Sequence, residues 1–181
     1  MPVHSLPDAE TLYTELVKKI RADSDKRFAL VGIHTGGAWL AERLFQDLST
    51  PQPLESQGLA EQLGMLSVSF HRDDFDRIGL HALKKSSSIP FPVDGAHILL
   101  VDDVLQSGRT IRAAINELYD YGRPASISLA ILVDRGGREL PICAQYTGIT
   151  LELPEGKTLV FNRDDQGRFY LSMKDRQDAP A

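Results

Sequence analysis

A single cysteine, Cys143, stands among the 181 residues. It excludes an intramolecular disulfide and a cysteine-based zinc site, in keeping with a reducing compartment, and by itself argues only for a buried or idle thiol. Long apolar runs are also missing. The most extended one, residues 127–133, is interrupted by Ser128 and falls far short of the roughly 20 residues that a membrane-crossing helix needs. The start, Met1-Pro2-Val3-His4, soon turns acidic and amphipathic and lacks the basic and apolar regions of a secretory leader, so a soluble, cytoplasmic chain is expected. Basic residues are in deficit: 20 Lys and Arg against 25 Asp and Glu leave a formal net charge of -5. That deficit opposes a broad nucleic-acid footprint, which depends on cations neutralising phosphates. What is present, 42% hydrophobic and 25% charged residues, suffices for one sizeable core. One domain over residues 1–181 is expected, with 174–181 as a frayed tail.

Along the chain, Leu12, Leu16, Val17 and Ile20 recur at helical spacing over residues 8–22, with Asp8 placed to cap the start. An apolar run over 28–33 leads into His34-Thr35-Gly36-Gly37, after which Ala38, Leu40, Ala41, Leu44 and Phe45 form a helical face. Residues 48–63 read as a connection, 65–70 as a strand, and 75–95 as a mobile loop that adds little to any core. A strand over 97–101 precedes a turn at Gln106-Ser107-Gly108 and a helix with Ile111, Ala114, Ile115 and Leu118 on one face, stopped at Gly122. Further strands are expected over 126–133, 146–153, 158–162 and 169–172. Apolar strands alternating with helices imply an α/β fold, a mainly parallel central sheet flanked by helices, whose ligands bind at the carboxyl ends of the strands. The polar clusters at 34–37, 71–74, 102–110 and 134–138 all fall at such ends.

Residues 98–110 carry the clearest chemistry. A hydrophobic strand delivers two adjacent carboxylates, Asp102 and Asp103, and a turn of small residues opens the next helix. Gly108 leaves room for close approach, the first N–H groups of the helix are free to hold an anion, and Ser107 and Thr110 add hydroxyls. The carboxylates would repel a second phosphate but accept hydrogen bonds from the vicinal diol of a ribose 5-phosphate. On spacing alone, an ordinary polar strand end and turn fits equally well.

This stretch resembles the motif by which type I phosphoribosyltransferases bind 5-phosphoribosyl-1-pyrophosphate (PRPP): four hydrophobic residues, two acidic residues, then a Thr/Ser-Gly turn. Val133-Asp134-Arg135-Gly136-Gly137-Arg138-Glu139-Leu140-Pro141-Ile142 further resembles the Val-Asp-Arg-Gly-His-Arg-Glu-Leu-Pro-Ile segment of the PyrR family, pyrimidine operon attenuators that are also uracil phosphoribosyltransferases. Arg72-Asp73-Asp74 and the Gly-Arg-Pro at 122–124 are similar to it as well, so the likeness covers roughly residues 28–150. It implies a small hood made from the C-terminal strands and the N-terminal segment, PRPP and uracil as substrates, Mg2+ bound with PRPP rather than at a dedicated protein site, and UMP as product. A homo-oligomer is expected. Asp102, Asp103 and Arg72 are the implied catalytic residues. Thr35, Gly36 and Gly37 match the pyrophosphate loop, where a non-proline cis peptide is common. Asp102, Asp103, Val104, Leu105, Gln106, Ser107, Gly108, Arg109 and Thr110 make up the PRPP segment, and Asp134, Arg135, Leu159 and Val160 the base pocket.

The departures from the family pattern are informative. Gly36 stands where the family carries Arg, so a cation near the pyrophosphate is missing, and should no base react, recovery of activity by Gly36→Arg would identify that loss as the cause; Arg72 is the expected substitute. Lys84 and Lys85 read as solvated surface. Gln106 occupies the position where relatives that use 6-oxopurines carry an Asp able to accept the N7 proton, which favours a pyrimidine. The basic or His side chains of the family's RNA-binding pattern are absent at Gly137 and Cys143. Specific RNA is therefore not expected as a partner, although Arg123, Arg135 and Arg138 remain as a small patch. A purine salvage enzyme is the other alternative, since His34 to Gly37 resembles the Lys-Gly-Gly loop of hypoxanthine enzymes.

Overall fold

The structure, a computed structural model, describes residues 6–23, 26–51, 58–68 and 86–175. Helix α1 (Ala9–Asp23) begins as its sequence dictates: the Asp8 carboxylate accepts the backbone N–H and the hydroxyl of Thr11, both at 2.8 Å. Its Leu12, Tyr13, Leu16 and Ile20 are buried on one face.

Strand β1 (Phe28–Ile33) is buried throughout, and helix α2 (Gly36–Ser49) follows it directly. Strands β2 (Ala60–Leu66), β3 (His97–Leu105), β4 (Ser126–Asp134) and β5 (Tyr146–Thr150) complete a five-stranded sheet, in which every neighbouring pair is parallel and the order is β2-β1-β3-β4-β5. Helix α3 (Arg109–Tyr121) joins β3 to β4.

Alternate residues of each strand serve opposite faces of the sheet. Leu30, Leu99, Ala130 and Leu132 pack with α1 and α2, whereas Val31, Ile98, Leu100 and Ile131 pack with α3. Strands β6 (Lys157–Arg163) and β7 (Phe169–Asp175) form an antiparallel hairpin, the hood, whose Leu159, Phe161 and Phe169 enter the α1/α2 core. Glu10 ties the hood to both helices: its carboxylate pairs with Arg43 at 2.8 Å and accepts the Phe169 N–H at 2.7 Å. No helix among the described residues is long and apolar enough to cross a membrane.

Several expected boundaries move. The second strand starts at Ala60 and ends at Leu66, inside what reads as a connection, because an edge strand tolerates the exposed Glu61 and Gln62. Strand β3 continues through both aspartates to Leu105, since its ladder with β4 persists where its apolar run stops. Of the expected loop 75–95, residues 75–85 lie outside the described residues, and the remainder is anchored at a few positions though largely exposed: Val93 is 1% exposed, Ile89 and Phe91 join the α3-side core, and Ser88 bridges Met65. Lys174 and Asp175, expected in the tail, belong to β7. Cys143 is free and exposed, not buried.

Candidate active site

The sheet order creates the site. Connections diverge from the β1/β3 pair, β1 leading outward to β2 and β3 to β4 and β5, and such a switch point leaves a crevice at the carboxyl ends of the strands. Strand β1 stays paired with β3 only as far as Gly32 opposite Val101, whereas β3 runs on beside β4 to Leu105 opposite Asp134. Asp102 to Leu105 thus overhang β1. Asp102 is 3% exposed and its Oδ1 accepts the Asp103 N–H at 3.0 Å; Asp103 is half-buried and its Oδ1 accepts the Val104 N–H at 2.9 Å.

Across the crevice, His34-Thr35 is a cis peptide, as the likeness implies. The two glycines that follow lie close against β3, Gly37 against its backbone and Gly36 against the Asp103 side chain. A Cβ on Gly36 would lie 2.2 Å from Oδ2 of Asp103, and one on Gly37 would lie 2.5 Å from the Val101 carbonyl oxygen and 2.8 Å from the Cα of Asp102. The start of α2 is thereby brought against the carboxylate pair. Thr35 makes no side-chain cap there, and the first N–H groups of α2 carry the helix's positive end. A side chain at position 36 would require the Asp103 carboxylate to shift.

Beyond Leu105 the chain turns sharply. Gly108 has φ of 90°, a left-handed conformation suited to glycine, and it caps α3. Ser107 is buried and its Oγ accepts the Arg109 N–H at 3.3 Å. Leu105 is a core residue and the half-buried Val104 packs against core, so these two present backbone rather than side chain to a ligand. The Arg109 side chain is turned to Glu139, 2.5 Å away, and Thr110 is half-buried at the first turn of α3.

At the end of β4, where the base pocket was expected, Asp134 accepts the Gly136 N–H at 2.9 Å and pairs with Arg138. Burial pushes its carboxyl up, but the Arg138 hydrogen bond, the Gly136 N–H and the charge of Arg138 together hold it below the usual carboxylate range. Arg135 reaches the hood, donating to Thr158 Oγ1 at 3.2 Å and to the Lys157 carbonyl at 3.3 Å. Leu159 is buried in the core and Val160 is half-buried. The Gln106 side chain lies beside Gly137, where a Cβ would stand 3.5 Å from its Cγ. Arg72, Lys84 and Lys85 lie outside the described residues. Arg138, read from sequence only as part of a basic patch, is engaged inside the site. Its guanidinium donates to the carbonyls of Gln106 and Ile142 as well as to Asp134.

The arrangement of a carboxylate pair facing a helix start, next to a left-handed turn that opens another helix, is that of a phosphoribosyltransferase. Residues 3–160 match the phosphoribosyl transferase domain family. Among solved structures, a hypoxanthine-guanine phosphoribosyltransferase of Bacillus anthracis superposes with a TM-score of 0.59 at 16% identity, over 83% of this chain and 85% of that one. The HGPRT-ase of Leishmania tarentolae, in complex with GMP, gives 0.59 at 18% identity over 88% and 86%. Both share the fold. Sequence likeness goes further. The bifunctional protein PyrR of Nitrosococcus oceani is 44% identical over 164 residues, covering 91% of this chain and 89% of that protein. Its namesake in Pseudomonas aeruginosa strain LESB58 is 49% identical over 153 residues, 82% of this chain and 85% of that protein. The chain belongs to the PyrR family of type I phosphoribosyltransferases.

Proposed function

We propose that the chain transfers the 5-phosphoribosyl group of Mg-PRPP to uracil, giving UMP and pyrophosphate. The observation that carries this reading is the carboxylate pair Asp102-Asp103 on the β3 overhang, facing Gly36 and followed by the Gly108 turn. Asp102 and Asp103 accept hydrogen bonds from the ribose hydroxyls and so fix the position of carbon 1. The N–H groups of the 106–110 turn, with the Ser107 and Thr110 hydroxyls, hold the 5-phosphate. The N–H groups of Thr35 to Gly37, at the positive end of α2, receive the leaving pyrophosphate, with Arg72 as the proposed additional cation. Nitrogen 1 of uracil, giving up its proton to solvent, attacks carbon 1 as the bond to pyrophosphate breaks, in a transition state of oxocarbenium character. Catalysis is chiefly placement and electrostatic stabilisation. Mg2+ would enter bound to PRPP rather than at a dedicated protein site; the hard oxygens of Asp102 and Asp103 beside the cradle are compatible with it, and the ion would neutralise charge on the pyrophosphate.

Gln106 supports uracil over a purine, since an amide cannot accept the N7 proton as a carboxylate does. The relatives' name, bifunctional protein PyrR, supports a second role, which we read as pyrimidine-responsive regulation. Specific RNA binding is not part of the proposal. The formal net charge is -5, and Arg135 and Arg138, two of the three arginines in the candidate patch, are engaged within the fold. The test is to incubate the protein with Mg-PRPP and, separately, uracil, hypoxanthine, guanine, adenine and orotate, and to detect the nucleotide formed. UMP is expected from uracil, and faster turnover of hypoxanthine or guanine would sink the pyrimidine assignment.

A further inference from the structure

The 106–110 turn is not held by its own strand and helix alone. Arg138 donates from Nε to the Ile142 carbonyl at 2.9 Å, from one terminal nitrogen to the Gln106 carbonyl at 2.8 Å, and from the other to the Asp134 carboxylate. Its side chain is 25% exposed. The three acceptors belong to three separate pieces of chain: the turn after β3, the end of β4 and the approach to β5. Beside it, the Ser107 carbonyl accepts two backbone N–H groups, from Glu139 at 3.0 Å and Leu140 at 3.1 Å. Ile142 closes over Gly108, where a Cβ would stand 3.0 Å from its Cγ1.

A trans peptide is planar, with its N–H opposed to its C=O. Fixing the Gln106 and Ser107 carbonyls toward residues 138–140 therefore aims the N–H groups of Ser107 and Gly108 the other way, away from that segment. We propose that Arg138 is a positioning residue, a latch that orients the N–H groups of the 5-phosphate cradle while it holds Asp134 on the base side. This rests on the reading of residues 106–110 as that cradle. A planar guanidinium serves three acceptors in different directions through fixed donors; a lysine ammonium, a point charge on a flexible stem, does not reproduce this.

Ribose 5-phosphate carries the 5-phosphate and the diol but neither base nor pyrophosphate, so it probes the cradle alone. In calorimetric titrations, Arg138→Lys is expected to weaken its binding at least tenfold relative to wild type. In turnover, the same variant should raise the KM for PRPP while kcat stays within threefold. A Lys variant that binds ribose 5-phosphate within twofold of wild type would overturn the latch. Wild-type protein that does not bind it would overturn the cradle reading itself. Hydrogen exchange on the wild-type chain needs no variant to fold. The amides of Glu139 and Leu140 should slow at least threefold when ribose 5-phosphate is added, and slowing confined to residues 107–110 would count against the latch.

Discussion

At position 36 a side chain would meet the Asp103 carboxylate. A Cβ there falls 2.2 Å from one Asp103 oxygen and 2.6 Å from its Cγ, so the carboxylate must swing away. Gly36→Ala is expected to weaken PRPP binding about tenfold, on the order of 1.4 kcal/mol by calorimetry, with little effect on melting temperature. Gly36→Arg should likewise bind PRPP less tightly than wild type, and a gain in affinity would show that the cation outweighs the displaced carboxylate. The carboxylate pair and the Ser107-Gly108 turn were legible in the sequence because they are contiguous and their chemistry shows in residue type. Arg138 was not. Its partners include two backbone carbonyls, one of them 32 residues away, and residue type carries no record of carbonyl direction. The close contact at 36 was equally hidden, because it depends on a side chain brought across from another strand.

Among the elements, those with the clearest apolar pattern, β1, α2, α3 and β4, lie where that pattern places them. The edge strand β2 starts earlier than its pattern suggests because Glu61 and Gln62 face solvent, and β3 runs four residues further because its hydrogen bonding outlasts its hydrophobicity. That the N-terminal segment joins the hood was implied by the resemblance, but the contacts that fix α1 there, Glu10 with Arg43 and with the Phe169 N–H, were not legible. Arg43, by its hydrogen bond, holds Glu10 below its ordinary value of 4.5, against the opposing effect of burial. A carboxylate depressed in the folded state contributes stability that is full above its unfolded pKa and is lost as pH falls through the folded one. Glu10→Gln should therefore cost on the order of 1 kcal/mol at neutral pH, and the gap to wild type should close on acidification below about 4.5. Denaturant melts at a series of pH values check this. A gap that stays constant to pH 3 would show that the charge of Glu10 contributes nothing.

For the molecule as a whole, alternating strands and helices announced a parallel sheet, but not the order β2-β1-β3-β4-β5, because each crossover can in principle return on either side. That order sets the crevice at the β1/β3 switch point, and with it which two loops share a ligand. Its surface balance bears on partners: with a net charge of -5 and two of the three patch arginines engaged inside the fold, filter binding to the leader RNA of a pyrimidine operon should show no tight retention. UMP-dependent, salt-sensitive retention at nanomolar protein would contradict this. The most direct measurement of the central claim is a calorimetric titration of Mg-PRPP into wild-type protein and into the Asp102→Asn/Asp103→Asn double variant. Saturable wild-type binding, weakened at least tenfold in the variant, is the expected result; equal affinity in the two proteins would contradict the assignment of the β3 overhang as the site that holds the ribose.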